Sequence, residues 1–302
     1  MHKHGGDIYR NQGVVDYSAN INFRGMPESV RQAAKDAIDA SVCYPDPQCE
    51  ELKAAIAEKE NVPAEWIFCG NGAADVIFSL VLALKPQKAL LPIPSFYEYR
   101  QALESVGCQI SETLLKEDEA FCLPKRFVNE IPMDTDMVCL CNPNNPTGQL
   151  IDREVLEQVA DYCQKTDTCL LMDECFHDFL EEGSVHTLLP RVKENPKLFV
   201  LRAFTKMYGM AGLRLGYGIC SDTELIRRME QVTQPWNVSV PAQAAGIAAA
   251  REQEFVAVSR QMITEQKKRL LAGLEAAGAK VYGSAANYIF FRAVPGFDTR
   301  MY

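Results

Sequence analysis

Residues 137–176 read MVCLCNPNNPTGQLIDREVLEQVADYCQKTDTCLLMDECF, and this stretch decides the fold. Two short apolar runs, residues 137–141 and 169–172, enclose residues 153–164, in which apolar positions recur every three to four residues. The short runs predict buried strands, and the longer run predicts an amphipathic helix. A strand, a helix and a second strand form a βαβ unit, so the stretch predicts parallel strands.

The same alternation extends in both directions, from about residue 50 to residue 220. Further short apolar runs are WIFCG, KALLPI, LFVLRAF and LRLGYGIC, and the longer ones are AADVIFSLVLAL and FYEYRQALESVG. They predict an α/β fold with a mostly parallel sheet that is covered by helices on both faces. Outside this block we expect a helix over residues 28–41, and a long helix over 252–277 followed by the strand NYIFFR.

The composition narrows the class of ligand. The chain has 302 residues, 47% of them apolar, and a formal net charge of −9. It contains no long run of Lys and Arg, which argues against nucleic acid and against an anionic membrane surface. The longest strongly apolar stretch, residues 76–84, is too short to span a bilayer. A small-molecule substrate fits these features better.

The eleven cysteines predict buried thiols rather than a disulfide framework. The chain begins with MHKHGGDIYR, which is polar and unlike a secretory signal, so we expect reduced cysteines in a cytoplasmic protein. Cys139 and Cys141 have no second Cys or His pair at zinc-like spacing nearby. We therefore predict no metal site.

Two of the predicted strands end in turns suited to an anionic ligand. Residues 70–75, GNGAAD, form a small-residue turn that opens a helix, whose free N–H groups and positive dipole end attract phosphate. Residues 142–148, NPNNPTG, form a loop in which two prolines and a glycine restrain Asn145. The alternative in each case is an ordinary turn.

Two other strands end in charged residues. Asp173 follows the apolar run CLLM, where a carboxylate needs a cation or hydrogen-bond donors, although capping a helix is the simpler interpretation. Lys206 follows LFVLRAF, with Arg214 eight residues further on. Burial and a neighbouring cation can lower the pKa of a lysine, as Schiff-base chemistry requires.

The order of these four elements resembles that of the class I and II aminotransferase-related superfamily of pyridoxal-phosphate enzymes, which have fold type I. The resemblance covers essentially the whole chain. It implies the cofactor pyridoxal 5′-phosphate and a smaller α+β domain beside the large one. We expect the N-terminal arm and part of the small domain in residues 1–45, the large cofactor-binding domain in 46–225, and a connecting helix and the rest of the small domain in 226–302.

The resemblance also implies roles for single residues. Lys206 would bond covalently to the cofactor and Asp173 would pair with its pyridine N–H, which makes these two the catalytic residues. Asn145 would donate to the ring hydroxyl oxygen. Phe96 or Tyr99 would stack on the ring, and the sequence leaves the choice between them open.

The phosphate of the cofactor would be held from two subunits. Tyr44 resembles a tyrosine that reaches the cofactor phosphate of the neighbouring subunit, which implies a homodimer with shared active sites. The contacts within one subunit would come from Gly72, Ala73, Ala74, Thr205 and Arg214.

Within the superfamily, the chain is most similar to the threonine-phosphate decarboxylases of cobalamin biosynthesis. The segments that carry this similarity are residues 4–6, 17–22, 173–176, 205–208 and 234–238. The implied substrate is a small phosphorylated amino acid, with His4 and Asn20 as candidate substrate contacts. A histidine beside two glycines can donate to a phosphate, and the alternative is that His4 makes no contact.

Two substitutions separate the chain from the related histidinol-phosphate aminotransferases. Those enzymes usually carry a tyrosine where Phe176 stands, and often a phosphate-binding hydroxyl where Ala203 stands. A phenyl ring cannot donate to the cofactor oxygen, although packing variation would explain both changes as well. A histidinol-phosphate aminotransferase-like activity therefore stays an alternative, as does a catalytically silent cofactor-binding protein.

The end of the chain carries one more expectation. In the family, further chain follows a motif similar to residues 296–302, GFDTRMY, and includes a strand with an arginine for the substrate carboxylate. We therefore expect the small domain to be incomplete in this sequence, and the sequence does not identify that arginine.

Overall fold

The computed structural model describes residues 5–13 and 15–293. Its centre is a seven-stranded sheet with the order β1-β7-β6-β5-β4-β2-β3. Neighbouring strands from β3 to β6 are parallel, and β7 runs antiparallel to both β1 and β6. The prediction of a mostly parallel sheet is confirmed. The strands are β1 Ile67–Gly70, β2 Lys88–Ile93, β3 Gln109–Leu114, β4 Met137–Cys141, β5 Cys169–Asp173, β6 Leu198–Ala203 and β7 Gly216–Ile219.

Helices connect the strands and cover the sheet. In the part of the chain that the structure describes, none of them is long and apolar enough to cross a membrane. They are α1 Glu28–Asp36, α2 Glu50–Glu60, α3 Ala73–Leu84, α4 Tyr97–Ser105, α5 Phe127–Glu130, α6 Arg153–Lys165, α7 Gly183–His186, α8 Thr223–Val232, α9 Val240–Ala250 and α10 Gln253–Ala276.

The sheet is buried on both faces because successive side chains of a strand point in opposite directions. In β4, Val138 and Leu140 belong to a core that includes residues of α2, α6 and α9. Met137 and Cys139 belong to a second core, which includes residues of α3, α4 and α8. The continuous apolar strands of the sequence therefore predicted the two-sided burial correctly.

The outer segments differ in detail from the prediction. The helix expected over residues 28–41 ends at Asp36 and is followed by a 3₁₀ turn, Asp39–Val42, before the extended residues that precede Pro45. The strand expected at NYIFFR is only β9, Phe290–Arg292, which pairs antiparallel with β8, Lys280–Gly283. The domain limits at residues 45 and 225 stay a prediction.

A buried ionic network joins α2, β5 and β6. The guanidinium of Arg202 lies between two carboxylates, 3.1 Å from Glu60 Oε2 and 2.8 Å from Glu174 Oε2. Thr187 Oγ1 and the Leu188 N–H also donate to the Glu174 carboxylate. Burial alone would raise the pKa of Glu60, but Arg202 and Lys59 lower it to about 2. Arg202 therefore pairs with two buried carboxylates at once.

Removing the Arg202 charge should destabilise the protein severely. We expect Arg202→Met to lower the free energy of unfolding by about 3–5 kcal/mol, because the buried Glu174 loses its cation and Glu60 keeps only Lys59. The matched control is Arg227→Met, which breaks the exposed Arg227–Glu224 pair of α8 and should cost at most about 1 kcal/mol. Urea denaturation followed by circular dichroism measures both. Equal losses in the two variants would contradict the role of the network.

Candidate active site

The groups singled out in the sequence gather at one edge of the sheet. The Asn145 loop follows β4, Asp173 ends β5, and Lys206 lies shortly after β6. The carboxyl ends of parallel strands meet at one edge, which is where ligands of such sheets bind. The turn at Gly72 joins them because β1 runs in the same direction as β6, both being antiparallel to β7.

Asp173 is a buried carboxylate that only neutral groups contact. Its side chain accepts hydrogen bonds from the Tyr99 hydroxyl at 2.5 Å and from the Cys175 N–H at 2.9 Å. Burial raises the pKa of Asp173 despite these donors. Within the described ranges, 5–13 and 15–293, no lysine or arginine forms an ion pair with it. A ligand that brings a protonated nitrogen to this carboxylate would stabilise its ionised form.

Lys206 lies within reach of the N-terminal segment. Its Nζ donates to the Ala19 carbonyl at 2.7 Å and lies 5.7 Å from the centre of the Phe176 ring. Burial lowers the pKa of Lys206, and the nearby Arg214 charge lowers it further. A lysine with a lowered pKa has a larger neutral, nucleophilic fraction near neutral pH.

The Gly72 turn and Arg214 form a cradle for an anion. Gly72 has a φ of 90° and is the N-cap residue of α3, without a side-chain cap hydrogen bond. A Cβ atom on Gly72 would lie 2.3 Å from Arg214 Nη2, so the guanidinium contacts the backbone of the turn. The N–H groups of Ala73 and Ala74 belong to the first turn, whose donors lack intrahelical partners. A phosphate held there would meet both the helix dipole and a guanidinium.

The loop after β4 is held by the asparagines on either side of Asn145. Asn142 Nδ2 donates to the His186 carbonyl, and its Oδ1 accepts from the Ile151 N–H. Asn144 Nδ2 donates to Thr147 Oγ1 and to the Pro94 carbonyl. Asn145 is half-buried and carries no such bond in the described structure. Its amide is therefore available to a ligand.

The two candidate stacking residues have different surroundings. Tyr99 is 1% exposed, and its hydroxyl is bonded to Asp173. Phe96 is half-buried and contacts Tyr99 edge to face, with 5.6 Å between the ring centres. Tyr99 thus positions a carboxylate, and Phe96 is the more exposed of the two rings.

The other predicted residues are spread over three segments. Thr205 lies beside Lys206 and is half-buried. Asn20 has a left-handed φ of 50°, and its carbonyl accepts a hydrogen bond from Asn287 Nδ2. Tyr44 is 78% exposed and stacks on Trp236 at 4.5 Å, so its own chain does not bury it. His4 lies outside the described residues.

Sequence reasoning missed three residues that shape the site. The sequence predicts only a stacking role for Tyr99, whereas its hydroxyl donates to Asp173. Asn22 is buried and donates to the Met207 carbonyl, so it fastens the N-terminal segment to the Lys206 loop. Tyr288 packs edge-on against Phe176 and donates to the Asn144 carbonyl. Asn22 stands between the apolar residues Ile21 and Phe23, and Tyr288 begins the apolar run YIFF, and a polar group beside apolar residues is the signal that could have indicated them.

The arrangement fits pyridoxal 5′-phosphate. The cofactor carries a phosphate at one end, which suits the Gly72–Arg214 cradle. At the other end it carries a protonated ring nitrogen, which suits Asp173, a carboxylate without an ion-pair partner in the described structure. Lys206, with its lowered pKa, supplies the amine that the cofactor aldehyde requires.

Comparison with known proteins gives a consistent result. The family described as "Aminotransferase class I and II" matches residues 12–297. The threonine-phosphate decarboxylase of Salmonella typhimurium is 37% identical over 280 residues, which are 92% of this chain and 76% of that protein. The histidinol-phosphate aminotransferase of Shouchella clausii is 33% identical over 297 residues, 96% of this chain and 79% of that protein. The crystal structure of the histidinol-phosphate aminotransferase from Clostridium acetobutylicum superimposes with a TM-score of 0.86 at 29% identity, and covers 93% of this chain and 84% of that one.

Adding a single methyl group to the turn should test the cradle. We expect Gly72→Ala to weaken pyridoxal 5′-phosphate binding by about tenfold, equal to 1.4 kcal/mol, because the Cβ displaces the Arg214 guanidinium. Gly107→Ala is the matched control: its φ of 74° is also positive, but a Cβ there meets no atom within 4 Å. Absorbance titration of the apoprotein measures both affinities. Equal losses would show backbone strain rather than a contact with Arg214.

Proposed function

The chain belongs to the class I and II aminotransferase family, and from this premise we propose that it converts L-threonine O-3-phosphate to aminopropanol phosphate and carbon dioxide. The chain is a pyridoxal-phosphate-dependent enzyme of fold type I. The proposed reaction belongs to cobalamin biosynthesis. The similarity of the chain to a threonine-phosphate decarboxylase, at 37% identity, supports decarboxylation over transamination.

The observation that carries the proposal is the apolar neighbour of Lys206. Phe176 is 4% exposed, its ring centre lies 5.7 Å from Lys206 Nζ, and Tyr288 packs against its edge. The Tyr288 hydroxyl is bonded to the Asn144 carbonyl. The site therefore lacks, at Phe176, the hydroxyl donor that related aminotransferases place there.

We assign the cofactor contacts by chemical complementarity. Asp173 would face the ring nitrogen, Asn145 the ring hydroxyl oxygen, and Phe96 the ring face, since the Tyr99 hydroxyl is already bonded to Asp173. When bound, the cofactor withdraws electrons from the Cα of an attached amino acid. The phosphate contacts would be the N–H groups of Gly72, Ala73 and Ala74 and the side chains of Thr205 and Arg214.

Lys206 would hold the cofactor and would also transfer a proton to the substrate. Its Nζ donates to the Ala19 carbonyl and lies 5.7 Å from the centre of the Phe176 ring. A protonated Nζ could return a proton to the substrate Cα after carbon dioxide leaves. Decarboxylation further requires the scissile bond to stand perpendicular to the ring plane, which substrate contacts must impose. We propose Asn20 and His4 for those contacts.

Transamination of histidinol phosphate is the second candidate. A histidinol-phosphate aminotransferase is 33% identical to this chain, and another has a solved structure with a TM-score of 0.86. An aminotransferase needs a keto-acid acceptor for each turnover, whereas a decarboxylase does not. Dependence on an acceptor therefore separates the two activities.

We also propose a cytoplasmic homodimer with shared active sites. Ile38, Val42 and Tyr44 are large apolar side chains that are 58%, 89% and 78% exposed. Trp236, on which Tyr44 stacks, is 45% exposed. A second copy that covers this patch would bury it and bring Tyr44 to the partner's phosphate cradle.

The reaction type is decided by product analysis. The enzyme loaded with cofactor should release carbon dioxide from L-threonine O-3-phosphate without any keto acid. Lys206→Ala should retain some cofactor through the phosphate contacts and lose turnover, while Lys165→Ala, which changes an exposed lysine on α6, should keep full activity. Acceptor-dependent consumption of histidinol phosphate, with no carbon dioxide from threonine phosphate, would move the assignment to the aminotransferase.

Subunit mixing tests the shared site. Lys206→Ala and Tyr44→Ala should each be impaired alone, but their hybrid dimer contains one site with both residues intact. Random reassortment of equal amounts should restore about a quarter of wild-type activity, because half of the dimers are hybrids with one good site. Each variant carried through the same mixing with itself is the control. Failure of the mixture to gain activity, or a fully active monomer in sedimentation, would contradict the proposal.

A further inference from the structure

A cavity of about 350 Å³ lies next to the phosphate turn, and two cysteines line it. Cys49 comes from the start of α2 and Cys69 from β1, and both are buried on the cavity wall, at 4% and 6% exposure. Lys53 and Asn237 also line this cavity. The roles assigned above use neither thiol. The cavity is wide enough to admit a molecule the size of water or hydrogen peroxide.

Cys49 occupies a position that favours a thiolate. It is the N-cap residue of α2, in a left-handed conformation with a φ of 53°, and so lies at the positive end of the helix dipole. Its Sγ donates to the Asp46 carbonyl at 3.7 Å. Lys53, one turn further along, adds a positive charge and pairs with Glu230 at 2.8 Å. The pKa of Cys49 is lowered, first by its hydrogen bond with Cys69 and then by Lys53, against the opposing effects of burial, Asp46 and Glu230.

Cys69 is the complementary partner of this thiolate. Both side chains line the cavity, and the neighbouring Cys49 and burial raise the pKa of Cys69. The pair therefore combines one cysteine whose pKa is lowered with a second whose pKa is raised. This asymmetry is what a nucleophilic and a resolving cysteine require.

We propose that Cys49 and Cys69 form a peroxide-sensitive thiol pair whose disulfide weakens cofactor binding. The Cys49 thiolate attacks one oxygen of hydrogen peroxide, an S–O bond forms, the O–O bond breaks, and the departing hydroxide takes up a proton as water. The Cys69 sulfur then attacks the sulfenic sulfur of Cys49, and the second oxygen leaves as water with the Cys69 proton. Two thiols and one peroxide thus give one disulfide and two waters.

The consequence for the cofactor follows from the position of Cys69. It immediately precedes Gly70, the residue that opens the phosphate turn. Asp75 ties this turn to the cavity wall, since its Oδ2 accepts from the Asn71 N–H at 2.8 Å and from Asn237 Nδ2 at 2.9 Å. A bond that draws Cys69 toward α2 therefore displaces the N–H groups that hold the phosphate. This second half of the proposal rests on the cofactor site assigned above.

Peroxide treatment followed by mass spectrometry tests the pair in the whole protein loaded with cofactor. We expect a Cys49–Cys69 crosslinked peptide after treatment with hydrogen peroxide and its loss after dithiothreitol. Cys69→Ser should instead leave Cys49 as a sulfenic acid that dimedone traps, and Cys49→Ser should abolish both products. A crosslink from Cys49 to Cys43, the exposed cysteine six residues before it, or no crosslink at all, would overturn the proposal.

The matched control is Cys163→Ser, which changes a buried cysteine on α6 whose pKa burial raises to about 12. It should form the crosslink as the wild type does. A second measurement needs no variant: the pH midpoint for iodoacetamide labelling of Cys49 in the wild type should lie below that of a free thiol, about 8.5. A midpoint at or above that value contradicts the assignment of Cys49 as the attacking thiol.

The effect of the disulfide on cofactor affinity is measured separately from the formation of the disulfide. Oxidised protein should bind pyridoxal 5′-phosphate about tenfold more weakly than reduced protein, and dithiothreitol should restore the affinity. Cys49→Ser, treated in the same way, should show no change. A complete crosslink with unchanged affinity would overturn the coupling to the phosphate turn, whereas failure of the reduced protein to bind the cofactor would count against the proposed function instead.

Discussion

The active site depends on the burial of one carboxylate, Asp173, at the end of a strand with apolar faces. A buried carboxylate is tolerated only if donors or a cation compensate for the lost water. Tyr99 of α4 and the Cys175 N–H supply donors, yet the pKa of Asp173 stays raised. A ligand that brings positive charge to this carboxylate would therefore stabilise its ionised form.

Glu174, the residue after Asp173, places its side chain on the opposite face of the sheet. Glu174 is fully buried and lies against Arg202, which also binds Glu60 at the end of α2. Alternation along an extended chain sends neighbouring side chains to opposite faces, so the same segment that presents Asp173 to the ligand is anchored by Glu174 behind it. We interpret the ionic network as the support that holds the end of β5 in place.

The N-terminal segment closes the site around Lys206. The Asn22 N–H donates to the Lys206 carbonyl, and the Ala19 carbonyl accepts from Lys206 Nζ. Gly6 N–H in turn donates to Ser18 Oγ, which brings residues from the start of the chain onto the same segment. Residues far apart in the chain therefore surround the amine, and this supports a role for the N-terminal arm in substrate binding.

The sequence by itself determined the strands, their parallel arrangement and the residues at their ends, because apolar periodicity and turn chemistry are local properties. Asp173, Lys206, Arg214 and the Gly72 turn could be selected in this way, and the motif order identified the family. Only the tertiary structure decided that Tyr99 binds Asp173, that Arg202 bridges Glu60 and Glu174, and that Cys49 and Cys69 line one cavity. The residues of these pairs are separated by 20 to 142 positions in the chain. The packing of helices on the sheet brings them together, and a local sequence pattern contains no information about that packing.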